Sequence, residues 1–198
     1  IMIKSAVWLA IYAMLGTTLV AFTYSQTKDA IANNEENVLL KQINELNPSE
    51  KYDNVVYSDK SEIADPVLGI PTPVTFYRAR LKEQPVAVAV TTEAPDGYSG
   101  TIKMLIGINY DGTIAGVRVL SHAETPGLGD KIETAKSDWI LSFDGKSIGN
   151  PAVDQWKVKK DGGIFDQFSG ATITPRAVVG ATRRTLEYFN AHRDEIFK

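Results

Sequence analysis

The N-terminal part of the chain carries a long uncharged run, residues 5–27, and this run limits what the first residues can fold into. Its core, residues 6–24, is mostly apolar. As a helix this core is long enough to cross a bilayer, which takes about 20 residues. Trp8 and Tyr24 lie near its two ends, where aromatic rings favour the membrane interface. We therefore predict a transmembrane anchor over residues 1–27.

Two other interpretations of this segment are open. A cleaved signal peptide needs a shorter apolar core and a small-x-small cleavage site, and residues 20–24 contain no clean site of that kind. A buried core helix is disfavoured by the length of the uncharged run. Lys4 precedes the run and charges of both signs follow it from Lys28 onward. This distribution favours a cytoplasmic N-terminus.

The segment after the anchor alternates between polar and apolar residues. Its apolar members are Ile31, Val38, Leu39, Ile43 and Leu46. The pattern predicts a helix that continues from the anchor with an apolar stripe on one side, and Pro48 is expected to end it. We assign residues 28–50 to this juxtamembrane helix and residues 51–198 to one globular domain, which is long enough to bury a core.

The middle of the chain has the pattern of β structure. The clearest hairpin signal is Asp111-Gly112, which lies between two alternating segments. The predicted strands are residues 74–81, 86–92, 101–110 and 113–120, with a turn at 82–85.

The remaining segments are predicted to be helical, extended or irregular. Prolines and a glycine between residues 53 and 73 indicate a loop-rich passage. Short helices are predicted at 128–135 and 138–143, and a strand or extended segment at 153–159. We therefore predict an α+β domain in which helices pack on an antiparallel sheet.

The loop before the last helix has the properties of an anion site. Thr174 is a good N-cap and Pro175 suits the first helical position. Residues 169–173 would then lead into a helix N-terminus, whose free N–H groups favour a phosphate. Gly170 allows backbone to approach a ligand closely, and Thr172 places a hydroxyl beside it. On chemistry alone, an ordinary loop with a capped helix remains the alternative.

Composition excludes several classes of function. The formal net charge is −3, which argues against nucleic-acid binding. Without cysteine, this chain has no disulfide, thiolate-held iron–sulfur cluster or thiol nucleophile. With His122 and His192 as its only histidines, we predict no metal site. No glycine pattern for a nicotinamide nucleotide is present.

The loop before the last helix also carries a specific motif. Its residues are Asp166, Ser169, Gly170, Ala171 and Thr172. This pattern resembles the flavinylation motif, Asp-x-x-Ser/Thr-Gly-Ala-Thr, of the FMN-binding subunits of the Rnf electron-transport complex and the sodium-pumping NADH:quinone reductase. In that family a flavin transferase uses Mg²⁺ to take FMN from FAD and joins its phosphate to the last threonine. The resemblance implies a phosphoester at Thr172, with Ser169, Gly170 and Ala171 close to the cofactor.

A second loop also resembles the family. Residues 121–129 contain Glu-Thr-Pro-Gly, a recurring element of the loop that approaches the flavin. The resemblance makes Glu124 and Thr125 candidates for the polar edge of the isoalloxazine ring and Leu128 a candidate for its apolar face. The alternatives are a solvated Glu124 and a helix cap at Thr125. His122 is expected to be a partly exposed turn residue without a catalytic role.

Three further groups have both a structural and a functional interpretation. Residues 97–100 form either a turn whose Tyr98 covers the sheet or a loop that lines the flavin pocket. The lysines at 157, 159 and 160 are expected to be solvated. Trp139 and Trp156 are expected in the core rather than on the cofactor.

As a whole, the chain resembles the G-subunit family of Rnf, with one anchor followed by one FMN-binding domain. The resemblance implies an electron carrier in a bacterial inner membrane, with its FMN domain in the periplasm and no catalytic residue of its own. Its partners would be the membrane, the flavin transferase and other Rnf subunits, including a second one that carries FMN. The alternatives are the C subunit of the quinone reductase and a non-redox binding or scaffold module.

Overall fold

The computed structural model describes residues 2–46 and 49–198. The chain forms two compact units, Ile1–Leu40 and Lys41–Lys198. Helix α1, Met2–Leu46, begins in the first unit and ends in the second. Pro48, the expected end of this helix, lies outside the described residues. The predicted domain boundaries at 27/28 and 50/51 stay predictions.

The first unit contains an apolar stretch, Ile3–Ile31, that is long enough to cross a membrane. Its most apolar window has no buried residue, so the alternative of a buried core helix is wrong. Within this stretch the hydroxyl of Thr23 donates to the carbonyl of Leu19 at 2.9 Å. A hydroxyl that bonds its own helix exposes no unsatisfied polar group to lipid.

The last turn of α1 belongs to the second unit and is part of its packing. Ile43 and Leu46 are buried, whereas Ile31 and Val38 of the predicted stripe are exposed. The Leu46 side chain packs on Gly116, where an added Cβ would lie 2.6 Å from Leu46 Cδ2. The predicted stripe is therefore buried only at its C-terminal end.

Among the described residues the sheet has five strands in the order β1-β2-β3-β4-β5, and each neighbouring pair is antiparallel. The strands are β1 (Lys60–Ile63), β2 (Val74–Leu81), β3 (Gln84–Ala94), β4 (Ile102–Asn109) and β5 (Ile114–Ser121). The four predicted strands are confirmed as β2 to β5. The sequence missed β1, because four residues give too short an alternation to detect.

The two tight hairpins differ in how well the sequence predicted them. Gly112 has a φ of +91°, as a glycine turn after Asp111 requires, so this hairpin is confirmed. The first turn is shorter than the predicted 82–85. Lys82 and Glu83 both adopt positive φ, and they close a two-residue turn from which β3 starts at Gln84.

Helix α2, Ile173–Ile196, packs on one face of the sheet and buries Val178, Leu186 and Phe189. The prediction of an α+β fold with an antiparallel sheet and packed helices is confirmed. A 3-10 helix at Asp138–Phe143 matches the predicted short helix.

Two other predictions between the sheet and α2 were right only in part. The helix expected at 128–135 is a single 3-10 turn, Gly129–Ile132, because Glu133 is already extended. The segment 153–159 is not a strand. It contains the 3-10 turn Val153–Gln155, and Val158 then forms an isolated bridge with Phe165.

An aromatic cluster joins these irregular segments to the sheet. Phe143 stacks on Phe165 with ring centroids 4.5 Å apart, and Trp156 lies 5.3 Å from Phe165. Trp139 meets Phe143 edge-on at 5.4 Å. Both tryptophans are therefore core residues, as predicted.

Candidate functional site

Helix α2 begins earlier than the sequence indicated. Ile173 is its first residue, and Thr172 occupies the N-cap position. The predicted cap Thr174 and the predicted first residue Pro175 both lie inside the first turn. Proline is tolerated there because the first four N–H groups of a helix have no partner within it. Thr174 does not cap the helix because its hydroxyl donates to the Glu124 carboxylate.

The Thr172 hydroxyl is not engaged in this structure. It makes no capping hydrogen bond, and no other described residue bonds it. The side chain is half-buried, and the residue's carbonyl accepts from the Arg176 amide at 3.4 Å. A reactive group could therefore reach this hydroxyl without breaking a hydrogen bond between described residues.

The motif before Thr172 forms a closed turn. The Ala171 amide donates to the Phe168 carbonyl at 3.1 Å, and Gly170 has a φ of +79°. In a four-residue turn, a negative φ at the second position and a positive φ at the third are the pattern of a type II turn. The third position here is Gly170, and glycine is the residue that adopts a positive φ most easily. Ser169 and Gly170 are exposed at the tip of this turn.

Trp139 holds the beginning of the motif in place. Its indole Nε1 donates to the Asp166 carbonyl at 2.7 Å, and its ring lies edge-on to Phe168 at 5.1 Å. The Asp166 carboxylate is exposed and pairs with Lys159 at 2.6 Å. An exposed pair of this kind adds little stability, so the indole is the main anchor of the turn.

An open cavity of about 270 Å³ lies between the two predicted loops. Its lining residues are Tyr98, Glu124, Thr125, Leu128, Gly129, Gly170, Ala171 and Thr174. The structure thus brings together the predicted contact residues of both loops, whereas Asp166, Ser169 and Thr172 do not line the cavity. Of the two interpretations of residues 97–100, the pocket-lining one agrees with the position of Tyr98.

The character of this cavity fits a flat, partly apolar ligand such as a flavin ring. Tyr98 and Leu128 remain 67% and 42% exposed beside it and so offer an aromatic ring and an aliphatic side chain to a ligand. Sites that enclose a drug-sized ligand measure about 300–1,000 Å³, so a ring bound here would keep part of its surface in solvent.

Glu124 is the most constrained residue of the cavity. It is only 4% exposed, so the interpretation as a solvated loop carboxylate is wrong. Its Oε1 accepts from the Ser99 amide at 3.0 Å, and its Oε2 accepts from the Thr174 hydroxyl. A Cβ added to Gly97 would lie 2.9 Å from Oε1, and one added to Gly129 would lie 2.7 Å from Oε2. Both glycines make room for this carboxylate.

His122 is partly exposed, as predicted, and lies in the irregular segment that follows β5. Its side chain is 11% exposed, and both ring nitrogens have partners. The Glu124 amide donates to Nδ1 at 2.9 Å, and Nε2 lies 2.8 Å from Glu133 Oε1. The two-residue spacing between His122 and Glu124 was the available signal, because side chains that bond an amide two residues ahead are common in turns.

Thr125 does not cap a helix, and its backbone carbonyl is the group that makes hydrogen bonds within the loop. Its carbonyl accepts from the amides of Leu128 and Gly129, both at 3.1 Å, and its side chain is exposed. The residue at the cap position of the following 3-10 turn is Leu128. Among the residues whose side chains the structure describes, no cluster of three or more histidine or acidic side chains is arranged to hold a metal ion.

Comparison with known proteins finds two matching family models. The model of the FMN-binding domain matches residues 97–187, a range that includes the cavity and the motif turn. The model of the RnfG N-terminal region matches residues 1–46, which covers α1.

The chain is also similar along nearly its whole length to curated proteins of one kind. A Vibrio cholerae protein is 46% identical over 98% of this chain and 92% of its own length. Proteins of Vibrio atlanticus and Pseudomonas aeruginosa are 47% identical with the same coverage. All three are named as the G subunit of an ion-translocating oxidoreductase complex.

Proposed function

This chain belongs to the family of G subunits of ion-translocating oxidoreductase complexes, and on that premise we propose that it is a membrane-anchored electron carrier with FMN as its redox group. The observation that carries the proposal is the coincidence of three features in one place. The FMN-binding match, the open cavity and the flavinylation-like motif all fall between residues 97 and 187. When bound, FMN supplies the electron-transfer chemistry, and the protein supplies attachment, orientation and electrostatics.

We assign covalent attachment to Thr172. Its hydroxyl has no hydrogen-bond partner among the described residues and stands beside the free amides that begin α2. In the transfer, the Thr172 oxygen bonds to the FMN phosphorus of FAD. The bond from that phosphorus to the bridging oxygen breaks, AMP leaves and the hydroxyl proton passes to solvent. A flavin transferase with Mg²⁺ is the proposed catalyst, so this chain contributes the acceptor and no catalytic residue.

The cavity residues then have separate roles toward the ring. Leu128 offers its apolar side chain, and it already lies next to the motif turn, 3.8 Å from where a Gly170 Cβ would be. Thr125 has an exposed side chain on the rim and can hydrogen-bond a polar ring edge. Ser169, Gly170 and Ala171 bring backbone close to the phosphate. Glu124 has one hydrogen bond on each oxygen, which leaves limited capacity for a direct ring contact.

Helix α1 is the proposed membrane anchor, with the uncharged residues 5–27 of the stretch Ile3–Ile31 in the bilayer. Lys4 before the span favours a cytoplasmic N-terminus, which would put the FMN domain on the periplasmic side of a bacterial inner membrane. The anchor would keep the domain beside the other subunits of the complex, including a second FMN carrier. Identity of 46–47% over nearly the whole chain to G subunits favours this role over the C subunit of the quinone reductase.

Attachment is tested by producing the full chain with and without a flavin transferase. The co-produced protein should fluoresce under ultraviolet light in a denaturing gel. Its intact mass should rise by FMN minus water, with the added mass on the peptide that holds Thr172. Thr172→Ala should abolish the fluorescence, whereas the control Thr134→Ala, at an exposed threonine that does not line the cavity, should keep it. Fluorescence that survives Thr172→Ala would refute the assignment, and a colourless wild-type chain would refute the electron-carrier role.

A further inference from the structure

We propose that His122 is a positioning residue for the flavin cavity, because it fixes the backbone of Glu124 and, through Glu124, three of the segments that form the cavity walls. That the cavity holds flavin rests on the proposed function. The hydrogen bonds run from Glu133 through His122 to Glu124, and from Glu124 to Ser99 and Thr174. This hydrogen-bond relay involves only residues of this chain.

The geometry determines which nitrogen of His122 carries the proton. The Glu124 amide can only donate, so Nδ1, at 2.9 Å, must accept. The ring is therefore neutral, with its proton on Nε2, where it donates to Glu133 Oε1 at 2.8 Å. The contact between His122 and Glu133 is then a hydrogen bond that orients the ring and not an ion pair.

The other histidine provides an internal contrast. His192 Nδ1 lies 3.2 Å from the Tyr188 carbonyl, which can only accept, so this ring carries its proton on Nδ1. The ring also stacks on Tyr188 with centroids 4.3 Å apart. Nδ1 thus accepts from a backbone amide in His122 and donates to a backbone carbonyl in His192.

From Glu124 the relay extends to two distant parts of the chain. One carboxylate oxygen holds the Ser99 amide in the turn between β3 and β4, next to Tyr98. The other holds the Thr174 hydroxyl in the first turn of α2. With the loop that carries Glu124 and Leu128, these are three of the four segments that line the cavity, and the fourth is the motif turn with Gly170 and Ala171. His122 contacts the backbone of the residue that joins them, although it does not line the cavity itself.

The packing around Glu124 leaves little room for adjustment. Gly129 lacks the Cβ that would lie 2.9 Å from both Glu124 Cβ and Thr174 Oγ1. Densely packed groups transmit small displacements instead of absorbing them. A shift of the Glu124 backbone therefore moves its carboxylate and with it Tyr98 and the start of α2, which would change the surroundings of a bound ring.

Two substitutions separate the relay from a general structural role. In His122→Asn the side-chain oxygen can accept from the amide two residues ahead, as asparagine does in an Asx turn, so the bond to Glu124 is kept. In His122→Gln the amide group is one carbon further out, near the Nε2 position, so the bond to Glu133 is kept and the bond to Glu124 is lost. His192→Gln controls for loss of a histidine elsewhere.

The first measurement needs no flavin. Hydrogen–deuterium exchange is followed in the detergent-solubilised full chain carrying Thr172→Ala, over peptides that contain the amides of Ser99 and Glu124. We expect faster exchange of these peptides in His122→Gln, and exchange like the parent in His122→Asn and His192→Gln. Unchanged exchange in His122→Gln, or equal acceleration in His122→Asn, would overturn the proposal.

The second measurement uses the flavin-loaded full chain. Its midpoint potential and visible absorption band should shift in His122→Gln and stay near the wild-type values in His122→Asn. No shift in His122→Gln would overturn the role toward the ring. If the wild-type chain carries no flavin at Thr172, the proposed function fails, and the exchange experiment still decides the relay.

A third measurement covers the case in which His122→Gln does not fold. Nitrogen-15 spectra of the wild-type chain, labelled only in histidine, should show one ring protonated on Nε2 and one on Nδ1 near neutral pH. The Nε2-protonated signal should disappear in His122→Asn and remain in His192→Gln. If the signal that disappears in His122→Asn came from a ring protonated on Nδ1, the relay would be contradicted.

Discussion

Arg176 binds Asp161 with two parallel hydrogen bonds, from Nε to Oδ2 at 2.5 Å and from Nη2 to Oδ1 at 2.6 Å. The pair joins the first turns of α2 to the 3-10 turn Lys159–Asp161, which precedes the motif. The hydrogen bond from Arg176 holds the pKa of the Asp161 carboxyl below its ordinary value of 3.8. A two-point geometry of this kind is more specific than a single contact between charges.

The lowered pKa of Asp161 predicts an acid-dependent contribution to stability. A carboxyl whose folded pKa lies below its unfolded value stabilises the protein above the unfolded pKa, and this contribution is lost as the pH falls through the folded pKa. The difference in Tm between wild type and Asp161→Asn should therefore be constant near neutral pH and should shrink below about pH 3.8. Asp154→Asn, at an exposed position nearby, should show no such gap. A gap that persists in strong acid would contradict the prediction.

Removing the Thr174 hydroxyl should destabilise the domain. In Thr174→Val the shape is kept, but Glu124 Oε2 loses a donor inside the protein. A hydrogen bond to a charged group contributes about 1.5–3 kcal/mol, and we expect a loss of that size. Thr174→Ser keeps the hydroxyl and should lose only the buried methyl, about 0.8 kcal/mol. Denaturant unfolding of the solubilised chain measures both. Equal losses would mean that the hydroxyl contributes nothing.

Two glycine substitutions should act in opposite directions. In Gly129→Ala the new Cβ meets Glu124 Oε2 at 2.7 Å, and such overpacking costs about 1–3 kcal/mol. In Gly180→Ala, inside α2, the nearest atom is the flexible tip of Arg184 at 3.4 Å. Alanine is favoured over glycine in a helix by about 1 kcal/mol, so this variant should be more stable. Unchanged or raised stability in Gly129→Ala would contradict the close approach at Gly129, and lowered stability in Gly180→Ala would contradict the helix-propensity argument.

The two core tryptophans should differ in their effect on flavin attachment. Trp139→Phe removes the hydrogen bond from Nε1 to the Asp166 carbonyl and should loosen the motif turn. In Trp156 the buried Nε1 has no partner among the described residues, so Trp156→Phe loses no hydrogen bond. The initial rate of FMN incorporation by the transferase should fall in Trp139→Phe and stay close to wild type in Trp156→Phe. Equal rates would mean that the indole bond does not hold the turn for the enzyme.

The features that the sequence predicted depend on local patterns. Alternation and β-branched residues predicted β2 to β5, and Asp111-Gly112 predicted its hairpin, because both are properties of neighbouring residues. The apolar stretch of α1 was evident from the absence of charge. Strand β1 was missed because it exists only through its pairing with β2, where Lys60 faces Tyr77.

The site residues were predicted only in part, because local patterns do not reveal partners that are distant in the sequence. The motif and the Glu-Thr-Pro-Gly loop were found by resemblance, and the structure brings both to one cavity. The burial of Glu124 was missed because its partners Ser99 and Thr174 are 25 and 50 residues away in the chain. Thr174 was assigned to a cap by local preference, and a tertiary partner took its hydroxyl instead.

The closed turn at residues 168–171 has a consequence for the order of maturation. Its own hydrogen bond and the indole of Trp139 already restrict the backbone that a modifying enzyme must bind. A preorganised loop loses less conformational entropy when an enzyme binds it than a flexible peptide does. We therefore expect the transferase to prefer the finished domain over the nascent chain, so that added enzyme labels purified apoprotein to completion. Attachment would then require a folded domain, and misfolded copies would not receive the cofactor.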